Sequence, residues 1–248
     1  MTVRADLHIH SCLSPCGDLA ASPRAIAQHA ARRGLNLIAL TDHNTARNVP
    51  AFAAACRDAG LAALYGCEVT STEEAHVLAL FADAESAIAF GDEIYATLPP
   101  LEADPERYGD QVVVDEDETI VETLRSYLIG ASTFSLAALG ARIHALGGLF
   151  VPAHIDRSAF SIWSQLGFLP PDDYDAVEMV HPAHGRGTER HDPLEMRIDP
   201  GGYPVTVASD AHHPADIGRR WIEFDAPRAD LPGLQGALSG GRVGLYLR

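Results

Sequence analysis

The feature of this sequence that most constrains its fold is the alternation of short apolar runs with longer alanine-rich stretches. The runs carry β-branched residues and have the length of buried strands, whereas the stretches between them have the composition of helices. Such an alternation predicts stacked βα units and therefore an α/β fold. The predicted strands are Val3–Leu7, Leu35–Leu40, Leu61–Cys67, His76–Phe81, Leu149–Pro152, Ala176–Val180, Val205–Ala208 and Trp221–Phe224.

Two helices near the amino terminus have clear start and stop signals. Pro23–Arg33 is preceded by Ser22, a favourable N-cap, and has proline at its first position. Gly34 is expected to end that helix. Pro50–Ala59 is closed in the same manner by Gly60, because glycine readily adopts the left-handed conformation at a helix end.

Residues 85–147 depart from this rhythm. They predict one helix, a polar segment Pro99–Glu118, and two further helices that continue through Ala145. We expect a single domain over 1–248, in which 85–147 forms an insertion or a cap over the mouth of a barrel. An irregular surface excursion is the alternative.

The charge balance is strongly acidic. The chain has 18 basic and 34 acidic residues, a formal net charge of −16. A field of that sign repels a polyanion, so it predicts that bulk nucleic-acid binding is unlikely, although it does not exclude the cleavage of one nucleotide. Metal ions bound among the acidic residues would offset part of the charge locally, so a small phosphorylated substrate could still be drawn in. No apolar run approaches the roughly 18 residues of a membrane span, and residues 1–10 do not resemble a signal peptide. The sequence therefore predicts a cytoplasmic protein without membrane contact, and it indicates no oligomeric state.

Histidines and acidic residues follow five of the predicted strands, each at the carboxyl end or just beyond it. In a parallel barrel those ends converge on one face, where barrel enzymes build their sites. A single histidine on an apolar strand is more often a packed core residue, but five such strand ends are hard to explain by chance. The segments are Asp6-Leu7-His8-Ile9-His10, Thr41-Asp42-His43-Asn44, Gly66-Cys67-Glu68, Pro152-Ala153-His154 and Ser209-Asp210-Ala211-His212.

The spacing of these groups suits metal ions. His8 and His10 are two residues apart, so both point to the same side of an extended strand, and Asp210 and His212 repeat that spacing. A carboxylate such as Glu68 can bridge two cations, and neutral imidazole suits Zn, Mn or Fe. The sequence predicts two or three divalent ions of that kind.

Two of the four cysteines, Cys12 and Cys16, lie close to the first histidines and are possible zinc ligands. A structural zinc site needs a second pair, which the sequence does not offer. We therefore interpret the cysteines as buried or incidental thiols.

Taken in order, these motifs resemble the PHP family, named for its bacterial DNA polymerase and histidinol phosphatase members. The resemblance covers most of the chain: DLHIHS at 6–11, TDHN at 41–44, G-x-E at 66–68, a histidine opening a later strand, PAH at 152–154 and SDAH at 209–212. It implies a distorted (β/α)7 TIM-like barrel, with the helical insertion near its mouth, and a trinuclear metal site.

The resemblance also implies which residues hold each ion, and it makes Glu68 the bridge between the first and second. His76 begins its strand, so it reaches the site if that strand runs opposite to its neighbours. Asp42 is expected to orient an imidazole rather than to bind metal. The implied ligands are His8, His10, Glu68 and Asp210 for the first ion, Glu68, His76 and His154 for the second, and Asp18, His43 and His212 for the third.

The function that follows is a metal-dependent phosphoesterase, in which a metal-activated hydroxide attacks phosphorus in a small phosphorylated metabolite or nucleotide. Arg157, Asp210 and His212 are the candidate catalytic residues, with Arg157 recognising phosphate because a guanidinium matches its oxygens. His181 and His184 follow a strand end and are possible substrate contacts.

Two other functions remain open. The first is hydrolysis of a C–N or C–O bond, as in amidohydrolase barrels. Those sites typically add a carboxylated lysine, which this chain cannot supply because it contains no lysine. The second is a non-catalytic, metal-binding regulatory domain, which a metal titration without phosphate release would reveal.

Overall fold

The structure, a computed structural model, describes residues 1–182, 186–187 and 198–248. Within these residues twelve strands and seven α-helices alternate along much of the chain. The strands are β1 Thr2–Asp6, β2 Leu37–Leu40, β3 Ala62–Thr70, β4 His76–Phe81, β5 Val112–Val114, β6 Ile120–Thr123, β7 Leu149–Pro152, β8 Val177–Glu178, β9 Arg186–Gly187, β10 Val205–Thr206, β11 Arg220–Asp225 and β12 Gly244–Leu247. The helices are α1 Pro23–Arg32, α2 Val49–Ala59, α3 Ala84–Tyr95, α4 Pro105–Tyr108, α5 Leu136–Ala145, α6 Ile162–Leu166 and α7 Leu231–Ser239, with a 3-10 turn at Pro214–Asp216.

One eight-stranded sheet organises the molecule, in the order β7-β4-β3-β2-β1-β11-β12-β9. Strands β1, β2 and β3 are parallel, whereas β4 is antiparallel to both β3 and β7. Because β4 reverses direction, β7 again runs with β1 to β3. The carboxyl ends of β1, β2, β3 and β7 and the amino end of β4 therefore lie at one edge.

A two-stranded sheet, β8 with β10, joins the two sides of the curled sheet. On one side, Ile155 N–H donates to Glu178 O at 2.8 Å, just beyond β7. On the other, His10 N–H donates to Ala211 O at 2.9 Å, just beyond β1. The α/β class and a curled, barrel-like sheet are thus confirmed.

The regular alternation of a (β/α)7 barrel is not followed at β3 and β4. Residues 71–75 connect these two strands, and so short a connection joins only antiparallel neighbours. A parallel pair needs a crossover of a dozen residues or more, which the chain does not provide here. The predicted series of βα units is therefore interrupted between β3 and β4, where the strand of His76 runs opposite to its neighbours.

The two predicted amino-terminal helices are confirmed to within one residue at their ends. Ser22 Oγ accepts the Ala25 N–H at the start of α1, and Pro23 opens that helix. Gly60 adopts φ 69° at the end of α2, a conformation that costs glycine little.

Residues 85–147 differ from their predicted secondary structure. The polar segment contains the short helix α4 and strand β5, which pairs with β6 in an antiparallel hairpin. Only one helix, α5, follows the hairpin, where two were predicted. The three valines of β5 are buried against the chain that follows β1, with Cys12 among their contacts.

Alternate residues of the central strands pack into two separate hydrophobic cores. Leu37 and Ala39 of β2 face a core that includes α7, whereas Ile38 and Leu40 face the core covered by α1, α2, α3 and α5. Both faces of the sheet are thereby covered. No helix in the described ranges is long and apolar enough to cross a bilayer.

Candidate metal centre

Four side chains meet where β1, β3 and β10 end: Glu68 lies within β3, close to its end, and the other three follow β1 and β10. The two ring nitrogens His8 Nε2 and His10 Nε2 lie 3.1 Å apart. Both lie 3.3–3.4 Å from Glu68 Oε2 and 3.2–3.3 Å from Asp210 Oδ1. Four ligands at 2.0–2.1 Å from a tetrahedral ion stand about 3.3–3.4 Å apart. The spacing of these donor atoms therefore matches that of a four-ligand metal site.

Glu68 faces a second set of imidazoles with its other oxygen. Glu68 Oε1 lies 2.8 Å from His76 Nδ1 and 3.0 Å from His154 Nε2. Glu68 Oε2, which faces the first set, also lies 3.1 Å from His43 Nδ1. A carboxylate with one oxygen towards each ligand set has the geometry of a bridge between two ions.

A third group consists of His10, His43 and His212, whose ring nitrogens lie within 4.8 Å of one another. Asp18, predicted to join this group, is placed differently. Its side chain is 42% exposed and its Oδ2 lies 3.0 Å from His213 Nδ1. The structure thus brings eight of the nine predicted ligands together and leaves Asp18 at the surface, where its role as a ligand stays a prediction.

The direction of β4 explains how His76 reaches the centre. His76 is the first residue of β4 and pairs in register with Thr70 at the end of β3. The antiparallel turn therefore carries the His76 side chain back to the edge where the parallel strands end. His43 reaches the same edge through a parallel bridge to Glu68.

Backbone strain is concentrated around this edge. Six described residues other than glycine have positive φ, and one of them, Glu118, lies in a turn of the β5–β6 hairpin. The remaining five belong to the centre, adjoin a candidate ligand or line the cavity beside it. Such conformations persist where the surrounding structure holds them and are common at functional sites. The five are Asn44, Glu74, His154, Phe160 and Asp210.

Glu178 is a functional candidate that the sequence analysis missed. Its Oε1 lies 3.0 Å from His8 Nδ1 and also accepts the His154 N–H. A carboxylate behind an imidazole fixes the tautomer that presents Nε2 to a metal. The available signal was an acidic residue within the otherwise apolar predicted strand Ala176–Val180.

Ser14 and Asp42 support His10 in a similar way. Ser14 Oγ lies 2.9 Å from His10 Nδ1 and donates to Asp42 Oδ1 at 2.8 Å. Asp42 also accepts the backbone N–H of Ser11 at 2.7 Å. Asp42 therefore acts on an imidazole through a serine, close to the orienting role predicted for it.

The histidines and carboxylates of the buried cluster stabilise one another's charged forms. Burial alone would lower the pKa of His8, but the carboxylates of Glu178, Asp210 and Glu68 outweigh it and raise that pKa well above its usual value. Burial would raise the pKa of Glu68, yet the surrounding histidines hold it well below its usual range. Burial and the nearby His10 lower the pKa of His212 to about 4. His212 is thus neutral near pH 7, whereas His8 favours its protonated form, so a metal ion would have to displace the His8 proton in order to bind.

The chemistry of the donor set fits divalent ions. Among the residues that the structure describes, the buried nitrogens His43 Nδ1 and His154 Nδ1 find no hydrogen-bond partner, although His43 Nδ1 lies close to a carboxylate oxygen. Unpaired buried polar atoms are costly unless something satisfies them. Imidazoles and carboxylates together are the ligands that Zn, Mn and Fe accept. The residues present are therefore suited to hold the ions that the sequence predicts.

A cavity of about 420 Å³ opens over the centre. Its floor is formed by candidate ligands, and its rim consists of the turn 157–161 and the segment 127–131. Arg157 stands at this rim, with its Nη1 2.7 Å from Asp210 Oδ2. Cys16 lines the same cavity, whereas Cys12, Cys56 and Cys67 are buried.

The other predicted substrate contacts are not assigned to the cavity. The His181 N–H donates to Asp156 Oδ2 at 2.8 Å. His184 lies outside the described residues, so its predicted contact with substrate cannot be placed on the structure.

The sequence matches two family models that bracket this centre. The PHP domain matches residues 6–91 and the PHP-associated model matches residues 201–243. Between them they include His8, His10, His43, Glu68 and His76 from the first region and Asp210 and His212 from the second. The chain belongs to the PHP family. The predicted resemblance is confirmed.

Several known proteins are similar to this PHP chain. An uncharacterized protein of Methanocaldococcus jannaschii is 32% identical over 87 residues, which are 32% of this chain and 50% of that protein. Endonuclease Q of Pyrococcus furiosus, a lesion-specific endonuclease, aligns with a TM-score of 0.68 and 18% identity over 99% of this chain and 58% of its own. A metal-dependent phosphoesterase of Bifidobacterium adolescentis aligns at 0.54 and 19% identity, covering 84% of this chain and 87% of its own. The PHP chain thus spans about half the length of the curated relative that it matches.

One further structure overturns the predicted partner. Endonuclease Q in complex with a 27-mer duplex, which carries an abasic lesion at the active site, aligns with a TM-score of 0.64 and 19% identity, over 97% of this chain and 57% of its own. A fold of this kind therefore accommodates duplex DNA. The prediction of a small phosphorylated substrate, with nucleic-acid binding unlikely, was wrong. Net charge summed over a whole chain does not report the local field at a site that gathers divalent cations.

At the coarse level the predicted activity is supported. The match to the PHP domain and the buried cluster of histidines and carboxylates are both consistent with the predicted metal-dependent hydrolase. The buried histidines and carboxylates described above are the groups that would bind its metal ions.

Proposed function

We propose that this PHP chain is a divalent-metal-dependent phosphodiesterase that cleaves nucleic acid at a nucleotide that has left the base stack. The observation that carries the proposal is the ion pair between Arg157 and Asp210. Asp210 turns Oδ1 to the histidines of the centre and Oδ2 to the guanidinium at the rim. Arg157 is thereby held beside any anion that binds at the centre.

One guanidinium is available to a phosphate group beside the metal centre. Apart from histidines, Arg157 is the one basic side chain among the described residues that line the cavity. The guanidinium has five N–H donors, so donors remain for a phosphate oxygen after the contact with Asp210 is made.

Divalent ions bound in the centre would supply Lewis-acid polarisation of a phosphoryl oxygen and activation of water. The chain's own residues keep the site ready for this. Glu68 stays ionised because the histidines around it lower its pKa. Glu178 holds the proton on His8 Nδ1, and His212 Nδ1 lies 2.9 Å from the Asp210 carbonyl oxygen. Both imidazoles therefore turn Nε2 away from these partners and towards the cluster.

The size of the cavity argues for an unstacked nucleotide. A cavity of about 420 Å³ has room for one nucleotide and none for a duplex. Enzymes that act inside a duplex extrude the target nucleotide, at least cost where the duplex is already damaged or mismatched. A strand end, a single strand or a lesion would supply such a nucleotide.

The acidic net charge does not oppose this proposal at the site itself. Two or three divalent ions would add on the order of +4 to +6 charges within the centre. The similar fold of endonuclease Q, solved with a DNA duplex, supports the same substrate class.

The proposal is tested with metal-stripped protein reloaded separately with Mn, Zn, Fe or Mg. Four end-labelled substrates are compared: a single strand, an intact duplex, and the same duplex with either a mismatch or an abasic nucleotide. We expect at least one ion to restore internal cleavage, with the single strand and the two disturbed duplexes cut faster than the intact one. Chelator should remove the activity.

The reaction products show whether a phosphodiester or a phosphomonoester bond was cleaved. Shortened labelled fragments would show that a phosphodiester bond was cut. Release of inorganic phosphate alone, from substrates that keep their length, would contradict the proposal. So would intact substrates in every reaction while elemental analysis shows at least two ions bound per chain.

A further inference from the structure

A phenylalanine beside the metal centre adopts a backbone conformation that large side chains rarely take. Phe160 has φ 55°, in the left-handed region where the β-carbon clashes with the backbone. It lines the cavity, and 49% of its surface is exposed. An exposed aromatic ring in a disfavoured conformation requires an explanation.

The turn that carries Phe160 is fixed at several points. The Arg157 N–H donates to His154 O at 2.9 Å, and Ser161 Oγ donates to Arg157 O at 2.7 Å. The Phe160 carbonyl accepts the His76 N–H at 2.9 Å. These hydrogen bonds fix the backbone of the turn, and the turn in this conformation directs the phenyl ring into the cavity.

The ring is stacked on a candidate ligand. The centroids of Phe160 and His76 are 5.1 Å apart, with an angle of 17° between the planes. His76 Nδ1 in turn contacts Glu68 Oε1. One face of the phenyl ring therefore rests on the imidazole, and a large part of the ring remains uncovered beside the metal centre.

Arg157 and Phe160 belong to the same turn. The guanidinium is directed to the centre through Asp210, and the ring lies three residues further along the chain. A nucleotide presents the two matching groups, a phosphate for the guanidinium and a flat base for the ring. Bases stack on aromatic side chains without regard to sequence, because every base has a π-face.

We propose that Phe160 is the stacking platform for the base next to the phosphodiester held at the metal centre. The proposal rests on the proposed function, since it assumes a nucleic-acid substrate. It assigns the 157–161 turn two tasks, anion recognition by Arg157 and base recognition by Phe160.

The test compares Phe160→Leu and Phe160→Trp with a matched control, Phe168→Leu. Phe168 is similarly exposed, at 55%, but does not line the cavity. The bond cut by the wild-type holoenzyme is mapped first. Substrates are then made in which the nucleotide on the 5′ or the 3′ side of that bond is replaced by a base-free tetrahydrofuran nucleotide.

We expect Phe160→Leu to raise KM about 5- to 100-fold for the intact substrate, the range that loss of one base–aromatic stack predicts. For one of the two base-free substrates, Phe160→Leu and the wild-type protein should have the same KM, because the base that Phe160 would stack on is already missing from that substrate. Phe160→Trp should keep the wild-type KM, and Phe168→Leu should leave KM unchanged for the intact and the base-free substrates.

Three outcomes overturn the inference. Loss of metal from Phe160→Leu by elemental analysis would show that the ring serves only to support His76. An equal reduction of kcat for all substrates would show the same. Unchanged kinetics for every substrate would show that the ring has no role in binding. Failure of the wild-type protein to cut any oligonucleotide is a distinct result, because that would reject the proposed function itself.

Discussion

The metal centre is buried and crowded with opposite charges, whereas the rim of its cavity is partly exposed and carries a single arginine. In the centre, the ring nitrogens and carboxylate oxygens that face one another lie only about 3 Å apart. At the rim, Phe160 and the segment 127–131 present mostly apolar surface. The contrast indicates that the centre supplies reactivity and the rim supplies selectivity.

The largest effect is expected at the bridge between the ligand sets. Glu68→Gln removes the negative charge that faces both sets and leaves the surrounding imidazoles without it. We expect activity to fall by more than the roughly 10- to 100-fold that loss of an outer partner produces, together with loss of more than one ion per chain. Elemental analysis and single-turnover cleavage measure the two effects.

Glu74→Gln is the matched control for that substitution. Glu74 also lines the cavity, but it belongs to none of the described ligand groups. It should retain the wild-type metal content. Loss of only one ion from Glu68→Gln would show that Glu68 binds a single metal and is not a bridge.

The rim is probed by Arg157→Ala. One charge-assisted contact to phosphate is worth roughly 1.5–3 kcal/mol, so kcat/KM should fall by about 10²-fold. Metal content should stay the same because arginine is not a ligand. Arg142→Ala is the control, since Arg142 also makes an ion pair at 2.7 Å, with Glu93, and does not line the cavity. If Arg157→Ala and Arg142→Ala had the same kcat/KM, Arg157 would not contact the substrate.

The two regions also differ in how far the sequence predicts them. The candidate ligands His8 and His10 form a local sequence pattern at the end of one strand, and the ends of other strands bring the remaining candidates together once the fold is known. Phe160 gave no such signal, because its position depends on a turn whose hydrogen bonds come from β4 and from its own serine. Only the three-dimensional contact with His76 distinguishes it from Phe168.

The hairpin of β5 and β6 was missed for a related reason. Val112–Val114 is a β-branched run, but it lies within a segment dominated by proline and acidic residues. Its pairing depends on Asp115, whose Oδ1 accepts the N–H groups of Asp117 and Thr119 and so closes the turn. Tertiary burial of the valines, with Cys12 among their contacts, then fixes the strand.

Glu178 tests how far the centre depends on the groups behind its ligands. Glu178→Gln keeps the shape but weakens the charge behind His8, and we expect metal affinity to fall about 10-fold, at the lower end of the range for such partners. Asp175→Asn is the control, because Asp175 pairs with His144 at 2.9 Å outside the centre. An unchanged affinity in Glu178→Gln would show that His8 needs no partner.

The smallest effect is expected at Asp18. Its size decides whether Asp18 is a metal ligand, as the resemblance implies, or a surface residue, as the structure places it. The carboxylate of Asp18 is partly exposed, pairs with His213 and accepts the Ala20 N–H at 2.8 Å. Asp18 belongs to none of the described ligand groups and its ion pair is exposed to solvent, so Asp18→Asn should change metal content and kcat/KM by less than about threefold. His212→Ala, which removes a member of the three-histidine group, should by contrast lower the metal content. If Asp18→Asn instead lost one ion per chain, as His212→Ala is expected to do, the loop of residues 11–18 would have to turn that carboxylate inwards when metal binds. Asp18 would then be a ligand of the third ion after all.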